Sequence, residues 1–128
     1  MAGYSGTPLP QKLGIKGGSR VRLVRAPEGF VSTLGVAARS RGDADVIVLF
    51  TRSAAELERE FPRLRRSLEQ SGGLWVAWPK RTSGVATDLN EAAVRRYGLS
   101  QGLVDNKVCA IDETWSGLRF VVRLSDRR

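Results

Sequence analysis

Histidine is absent from this chain of 128 residues, and its absence excludes several kinds of chemistry. Catalytic triads and dyads that use histidine as a base cannot form, and neither can zinc sites with the usual nitrogen and sulfur ligands. Any general base must be a carboxylate, a lysine, a tyrosine or the single cysteine, Cys109. One cysteine forms no intrachain disulfide, which agrees with a reducing compartment. We therefore expect a cytoplasmic protein, and we predict no metal site.

Long hydrophobic runs are also missing. The longest, residues 46–50 and 74–78, hold five residues each, far fewer than a membrane-spanning helix needs. The first residues, MAGYSGTPLPQK, have neither the basic nor the apolar segment of a secretion signal, so no membrane partner is expected. The length predicts one α/β domain over residues 13–125, after an extended N-terminal arm (1–12) and before a basic tail (126–128).

Negative charge is scarce. The chain has 21 Lys and Arg against 13 Asp and Glu, a formal net charge of +8, and a pI near 10.8. Such a charge attracts nucleic acid, an anionic surface or a phosphorylated small molecule. The basic residues are scattered and often lie near acidic ones, so the alternative is that the charge serves solubility alone.

Apolar and amphipathic segments alternate along the chain. Strands are predicted at 20–24, 46–50, 74–78, 104–111 and 118–124, with a weak additional strand at 36–38, and helices at 28–34, 53–68 and 88–99. This order predicts an α/β fold of three layers, Rossmann-like, with a mostly parallel sheet that ends in an antiparallel hairpin.

Local signals set the expected helix boundaries. Ser53–Glu56 and Asp88–Glu91 each have the spacing of a capping box at a helix start. Pro62 should kink the first of these helices or divide it into two. Ser71–Gly73 is predicted to end it before the next strand begins.

The segments DADVIVLF (43–50) and LEQSGGLWVAWPK (68–80), each followed by a helix, and the final hairpin resemble the second half of class I S-adenosylmethionine-dependent methyltransferases. The likeness covers roughly residues 43–124 and implies a reduced version of that topology. The whole chain is also similar to a small actinobacterial family to which no activity is assigned. The matching segments are SGTPLPQKLGIK (5–16), APEGF (26–30), GGLWVAWPK (72–80) and GLVDNKVCAIDETWSGLRFVVR (102–123).

The first half departs from the methyltransferase pattern. Those enzymes have a glycine-rich turn after the first strand, where the backbone approaches the cofactor, whereas this chain has Arg25–Gly29 with a single glycine. Thirteen residues separate Gly29 from Asp43, too few for the strand that carries the ribose-binding acid and its flanking helices. We therefore predict no cofactor and do not expect S-adenosylmethionine to bind, the alternative being an altered pose.

In open α/β sheets, ligands bind at the carboxyl ends of the parallel strands. The turn Pro79–Gly84 lies at such an end, beside the loops after the first two strands, and this edge is predicted to bind a phosphate or carboxylate. The alternative is that its cations are solvated and pair with Glu28, Asp112 and Glu113. The candidate residues, here called the cationic rim, are Arg25, Glu28, Gly29, Arg52, Ser53, Lys80, Arg81, Thr82, Ser83 and Trp115.

Three further features have two interpretations each. Asp112 and Glu113 either bind a metal or act as acid and base, or they form hydrogen bonds within the hairpin turn. Trp115 either stacks on a planar ligand or caps the core. Cys109 is expected to pack in the core, because no histidine is present to activate it.

The sequence therefore predicts a non-catalytic binding domain whose cationic rim binds a small anionic ligand or an acidic protein segment. Two alternatives stay open at this point. One is a transferase that uses S-adenosylmethionine or another small molecule, and the other is an accessory protein that binds nucleic acid. The oligomeric state is left open.

Overall fold

A computed structural model describes residues 6–128, and it contains one mixed sheet of five strands. The sheet order is β1-β2-β3-β5-β4. The strands are β1 (Val21–Val24), β2 (Ala44–Phe50), β3 (Leu68–Pro79), β4 (Leu103–Ala110) and β5 (Trp115–Val122).

The direction of each strand determines where the loops meet. β1, β2 and β3 are parallel neighbours, and β5 is antiparallel to both β3 and β4. The carboxyl ends of β1 to β4 and the amino end of β5 therefore lie along one edge, here called the upper edge. The α/β class, the parallel strands and the antiparallel C-terminal hairpin are confirmed.

Two longer helices cover one face of the sheet. They are α3 (Ala54–Arg66) and α4 (Glu91–Ser100), and they follow the short helices α1 (Leu9–Lys12) and α2 (Phe30–Leu34). The ring of Phe61 packs edge-on against Tyr97 and Phe120, with ring centroids 5.4 and 5.6 Å away. No helix among residues 6–128 combines the length and the apolar character needed to span a bilayer.

The opposite face is covered by short elements. Phe30 and Leu34 of α2 pack there with Leu13, which is fully buried. Trp75 is also fully buried on this face, and its indole N–H donates to the Leu13 carbonyl at 3.0 Å. Trp78 packs on the face of α3 and α4, so the two tryptophans of β3 point to opposite faces of the sheet.

Pro62 does not divide α3, which runs unbroken from Ala54 to Arg66; the expectation of two short helices is wrong. A proline within a helix removes one main-chain hydrogen bond. The neighbouring Phe61 and Leu64 are fully buried, and their burial stabilises the continuous helix by more than that bond.

The glycine pair does not form the predicted turn, because β3 begins at Leu68 and includes both glycines. A side chain at Gly72 would collide with the Asp45 carbonyl, and one at Gly73 would collide with the Arg119 guanidinium. The glycines therefore mark close approaches to the strand, and the chain turns at Ser67 instead.

The second predicted capping box is also wrong. Asn90 caps α4, and its side-chain oxygen accepts from the Ala93 N–H at 2.8 Å. The Asp88 carboxylate caps a different helix, since it accepts from the Ala54 N–H at the start of α3 at 2.9 Å. Asp88 therefore joins the loop before α4 to α3.

The segment before β2 differs from expectation as well. No strand forms at 36–38; instead Arg39 makes an isolated parallel bridge with Arg22 at the free edge of β1. Within the predicted extended arm, Leu9–Lys12 form a helical turn. Residues 1–5 of that arm lie outside the described residues.

Gly98 of α4 offers a test of this packing, because a Cβ there would collide with the Phe120 ring. Gly98→Ala gains about 1 kcal/mol of helix propensity but overpacks the core at a cost of about 1–3 kcal/mol. We expect a lower free energy of unfolding in urea than for the wild type. Gly17→Ala is the control, because no atom lies within 4 Å of the added methyl. A Gly98→Ala protein as stable as the wild type would contradict the close packing of α4 on β5.

Candidate functional site

Two cavities open at the upper edge. The first cavity, of about 510 Å³, lies at the ends of β1 and β2. The second cavity, of about 760 Å³, lies between the turn after β3 and the start of α4. Val85 lines both. The structure thus divides the cationic rim into two neighbouring sites.

Arg25 lies in the first cavity, and its charge is balanced by acids of α3. Its backbone has a φ of 60°, in the left-handed region that residues with a side chain rarely adopt. The guanidinium lies 2.8 Å from the Glu56 carboxylate and 3.9 Å from that of Glu60. The predicted pairing of rim cations with Glu28, Asp112 and Glu113 is therefore wrong for Arg25, because α3 presents its own carboxylates at this end of β1.

Glu56 is held from several sides. One carboxylate oxygen accepts from the Arg52 main-chain N–H at 3.0 Å and from the Thr51 hydroxyl at 3.1 Å. The other accepts from Arg25. The hydrogen bond from the Arg52 amide, with those from Thr51 and the nearby arginine charges, holds the pKa of Glu56 below its ordinary value. Both oxygens of this carboxylate are occupied by hydrogen bonds within the protein, so Glu56 has a structural role.

Trp115 forms the aromatic wall of the first cavity. Its ring meets Phe50 edge-on, with centroids 5.1 Å apart. Asp112 fixes the turn before it, since one carboxylate oxygen accepts from the N–H groups of Thr114 and Trp115, both at 2.8 Å. Of the two interpretations of Asp112, hydrogen bonding within the turn is the one that the structure supports.

The second cavity contains Lys80, Arg81 and Thr82. The turn is anchored to the hairpin because the Lys80 N–H donates to the Thr114 carbonyl at 2.8 Å. The Ser83 hydroxyl donates to the Lys80 carbonyl at 2.7 Å and accepts from the Val85 N–H at 3.2 Å. Within residues 6–128, the side chains of Lys80 and Arg81 form no salt bridge.

Trp78 contributes a hydrogen-bond donor to the second cavity. The residue is 6% exposed and lines the cavity wall. Its indole N–H makes no hydrogen bond with residues 6–128. Within these residues, the only fully buried side-chain nitrogen or oxygen that lacks a hydrogen-bond partner is the Nε of Arg22, so the indole nitrogen of Trp78 is not fully buried. The cavity whose wall contains Trp78 is the second one.

The remaining rim residues have structural positions. Ser53 caps α3, and its hydroxyl oxygen accepts from the Glu56 N–H at 3.1 Å. Gly29 precedes α2 with a φ of 84°, a conformation that glycine adopts readily. Glu28 is exposed, and it lines neither cavity. Arg25, Arg52 and Trp115 thus belong to the first cavity, and Lys80, Arg81 and Thr82 to the second.

Sequence reasoning missed Thr51, Trp78 and Val85 as cavity residues and the role of Glu56 at the first cavity. Glu56 was identified as a helix cap, and its contact with Arg25 joins residues 31 positions apart. Most of the surface of Trp78 lies in the core. Its position directly before Pro79, at the end of a strand, could have indicated that Trp78 lies beside a cavity at the upper edge.

Other chemically active groups do not gather near the cavities. Among residues 6–128 no group of three or more Cys, Asp or Glu is arranged to hold a metal ion. Cys109 is half-buried in β4, and burial raises the pKa of its thiol. A thiol with a raised pKa is a poor nucleophile at neutral pH.

The lowered pKa of Glu56 predicts how stability depends on pH. A carboxylate whose folded pKa lies below its unfolded value of 4.5 stabilises the protein above that value, and this contribution disappears as the pH falls through the folded pKa. Glu56→Gln should therefore lower the free energy of unfolding at pH 7 by about 1–3 kcal/mol. The difference from the wild type should shrink below pH 4.5 in urea titrations at several pH values. A difference independent of pH would contradict this account.

Comparison with known proteins indicates the type of fold. No family model matches the chain, and no curated protein matches it. The crystal structure of ribosomal protein L11 methylase from Lactobacillus delbrueckii subsp. bulgaricus is similar, with a TM-score of 0.56, 12% identity, and coverage of 82% of this chain and 70% of that chain. Aeropyrum pernix fibrillarin with natively bound S-adenosyl-L-methionine matches at a TM-score of 0.43, with 14% identity over 93% of this chain and 70% of that chain.

At 12% identity the first likeness concerns the fold alone. The resemblance to an actinobacterial family stays a prediction. The chain has a methyltransferase-like α/β fold.

Proposed function

We propose that this chain is a non-catalytic binding domain that holds a small anionic ligand in the second cavity. The observation that carries the proposal is a pair of cations that form no salt bridge within residues 6–128, Lys80 and Arg81, in the cavity that Trp78, itself nearly buried, also lines. Unpaired donors around one concave site are what a phosphate or carboxylate requires. The volume of about 760 Å³ lies in the range of small-molecule sites, which favours a small ligand over an acidic protein segment.

Two acids, Asp88 and Glu91, line the same cavity, but neither forms a salt bridge with Lys80 or Arg81. Asp88 accepts from the Ala54 N–H, and Glu91 pairs with Arg95 at 2.9 Å. The amino end of α4 also borders the cavity, and its dipole favours negative charge there by about 0.3–1 kcal/mol. In contrast, Arg25 in the first cavity already has two carboxylate partners.

Two features support the view that S-adenosylmethionine is not the ligand. At the end of β1, where such cofactors meet bare backbone, Arg25 and Pro27 line the first cavity. Within residues 6–128 the sheet continues beyond β1 only as the bridge at Arg39, so no strand described there brings an acid for ribose hydroxyls. The residues present therefore favour a ligand other than this cofactor.

A transferase is the second candidate, and the first cavity is the observation that favours it. Its volume of about 510 Å³ and its aromatic wall of Phe50 and Trp115 would accept a nucleoside. Isothermal titration calorimetry with S-adenosylmethionine separates the candidates, and we expect no heat of binding. Micromolar affinity would reverse their order.

The proposed site is tested with a panel of small phosphates and carboxylates, screened by thermal shift and followed by calorimetry. For the compounds that bind, Lys80→Ala with Arg81→Ala should weaken affinity by tenfold or more, because each charged hydrogen bond is worth about 1.5–3 kcal/mol. Trp78→Phe removes the indole N–H together with part of the ring, and it should weaken binding by about threefold to tenfold, the loss expected for a neutral donor.

Arg41→Ala with Arg59→Ala is the matched control, because both residues are exposed and line neither cavity. It lowers the net charge equally and should leave affinity unchanged. If the control variant lost as much affinity as the Lys80 and Arg81 variant, binding would depend on net charge alone. A panel with no ligand, or full affinity after the Lys80 and Arg81 substitutions, would contradict the proposal.

A further inference from the structure

Arginines gather at the lower edge of the sheet, opposite the two cavities. α3 ends there in a last turn that contains Arg65 and Arg66. β5 is antiparallel to β3, so it also ends there, and the segment after Val122 supplies more arginines. The six residues, here called the basal arginine cluster, are Arg65, Arg66, Arg119, Arg123, Arg127 and Arg128.

A groove of about 290 Å³ lies within this cluster, and both helical and terminal residues line it. Arg65 packs against the backbone at Gly102, where an added Cβ would lie 3.2 Å from the guanidinium. On the other side, the Arg128 main-chain N–H donates to the Gln70 side-chain oxygen at 3.2 Å. The groove thus places arginines from distant parts of the sequence side by side.

Two more arginines are held in place outside the groove, and Arg119 lies on the sheet face of its partner Trp75, opposite α3. The Arg127 guanidinium donates to the Val122 carbonyl at 3.1 Å. Arg119 lies over Gly73 and donates to the Asn106 side-chain oxygen at 3.4 Å. Burial, and then the positive charge of Arg127, lower the pKa of Arg119.

The cluster has almost no acidic counterpart. Within residues 6–128 none of its six members forms a salt bridge, whereas Arg20, Arg25, Arg63 and Arg95 all do. Asp126 is the acidic side chain that lines the groove. Repulsion between like charges costs stability unless an anion balances it. The lower edge therefore has the character of a binding surface for a polyanion.

We propose that the basal arginine cluster binds the phosphodiester backbone of nucleic acid without reading its sequence. Every cation in it is an arginine, and the guanidinium fork matches two phosphate oxygens at once. No aromatic side chain lines the groove, so the surface lacks a platform for stacked bases. An anionic membrane is the less suitable partner, because Leu124, 78% exposed, is the one large exposed apolar residue of this segment, and surface insertion needs a whole apolar face.

The test measures binding of fluorescently labelled single-stranded RNA by anisotropy at several salt concentrations. For three to six phosphate contacts, a plot of log affinity against log salt should have a slope of about −2 to −4. The triple variant Arg65→Gln, Arg123→Gln, Arg127→Gln should bind at least tenfold more weakly at low salt. Its slope should be smaller in magnitude by about 2, since each phosphate contact contributes about 0.7.

The control variant Arg41→Gln, Arg59→Gln, Arg96→Gln removes the same charge from exposed positions outside the cluster and should keep the wild-type slope. Circular dichroism checks folding, and Arg123→Gln alone, at an exposed position, should lower the slope by about 0.7 even if the triple variant unfolds. Equal losses in both triple variants, no change on Arg123→Gln, or binding to vesicles of anionic lipid but not to RNA would overturn the proposal.

Discussion

The pairing of β3 with a parallel strand on one side and an antiparallel strand on the other is the interaction on which the rest of the structure depends. β3 pairs with β2 and with β5, and its side chains from Leu74 to Ala77 are fully buried. Because it runs between both core layers, its upper end is fixed in space. Pro79 still pairs with Trp115, and the Lys80 N–H then bonds to the Thr114 carbonyl. The cationic turn therefore starts from a rigid strand.

Much of this architecture could be predicted from sequence because the signals are local. The β-branched run of residues 46–50 indicates a buried parallel strand, and Ser53 indicates the start of α3; both are confirmed. Expectations failed where a distant partner decides the outcome. Pro62 is tolerated because its neighbours are buried in the core, and the glycine pair lies in β3 because Arg119 and the backbone of β2 come close to it.

The candidate site shows the same limit. Position along the chain places the rim residues on one edge of the sheet, and that edge is where both cavities open. The pairing of charges along this edge could not be predicted from the sequence. Glu56 and Glu60 come from α3, which packs against β2 and β3, and they balance Arg25. Within residues 6–128 no acid forms a salt bridge with Lys80 or Arg81. The two cavities therefore differ mainly in whether acids pair with their cations.

The central claim is that the second cavity presents unpaired donors to an anion, and the indole N–H signals of the three tryptophans test it most directly. In ¹H–¹⁵N spectra recorded during titration with inorganic phosphate and with nucleoside monophosphates, the Trp78 signal should shift until it saturates. The Trp75 signal should stay fixed, because its N–H is bonded to the Leu13 carbonyl. A Trp78 signal that does not move, or a larger shift at Trp115 in the first cavity, would contradict the account.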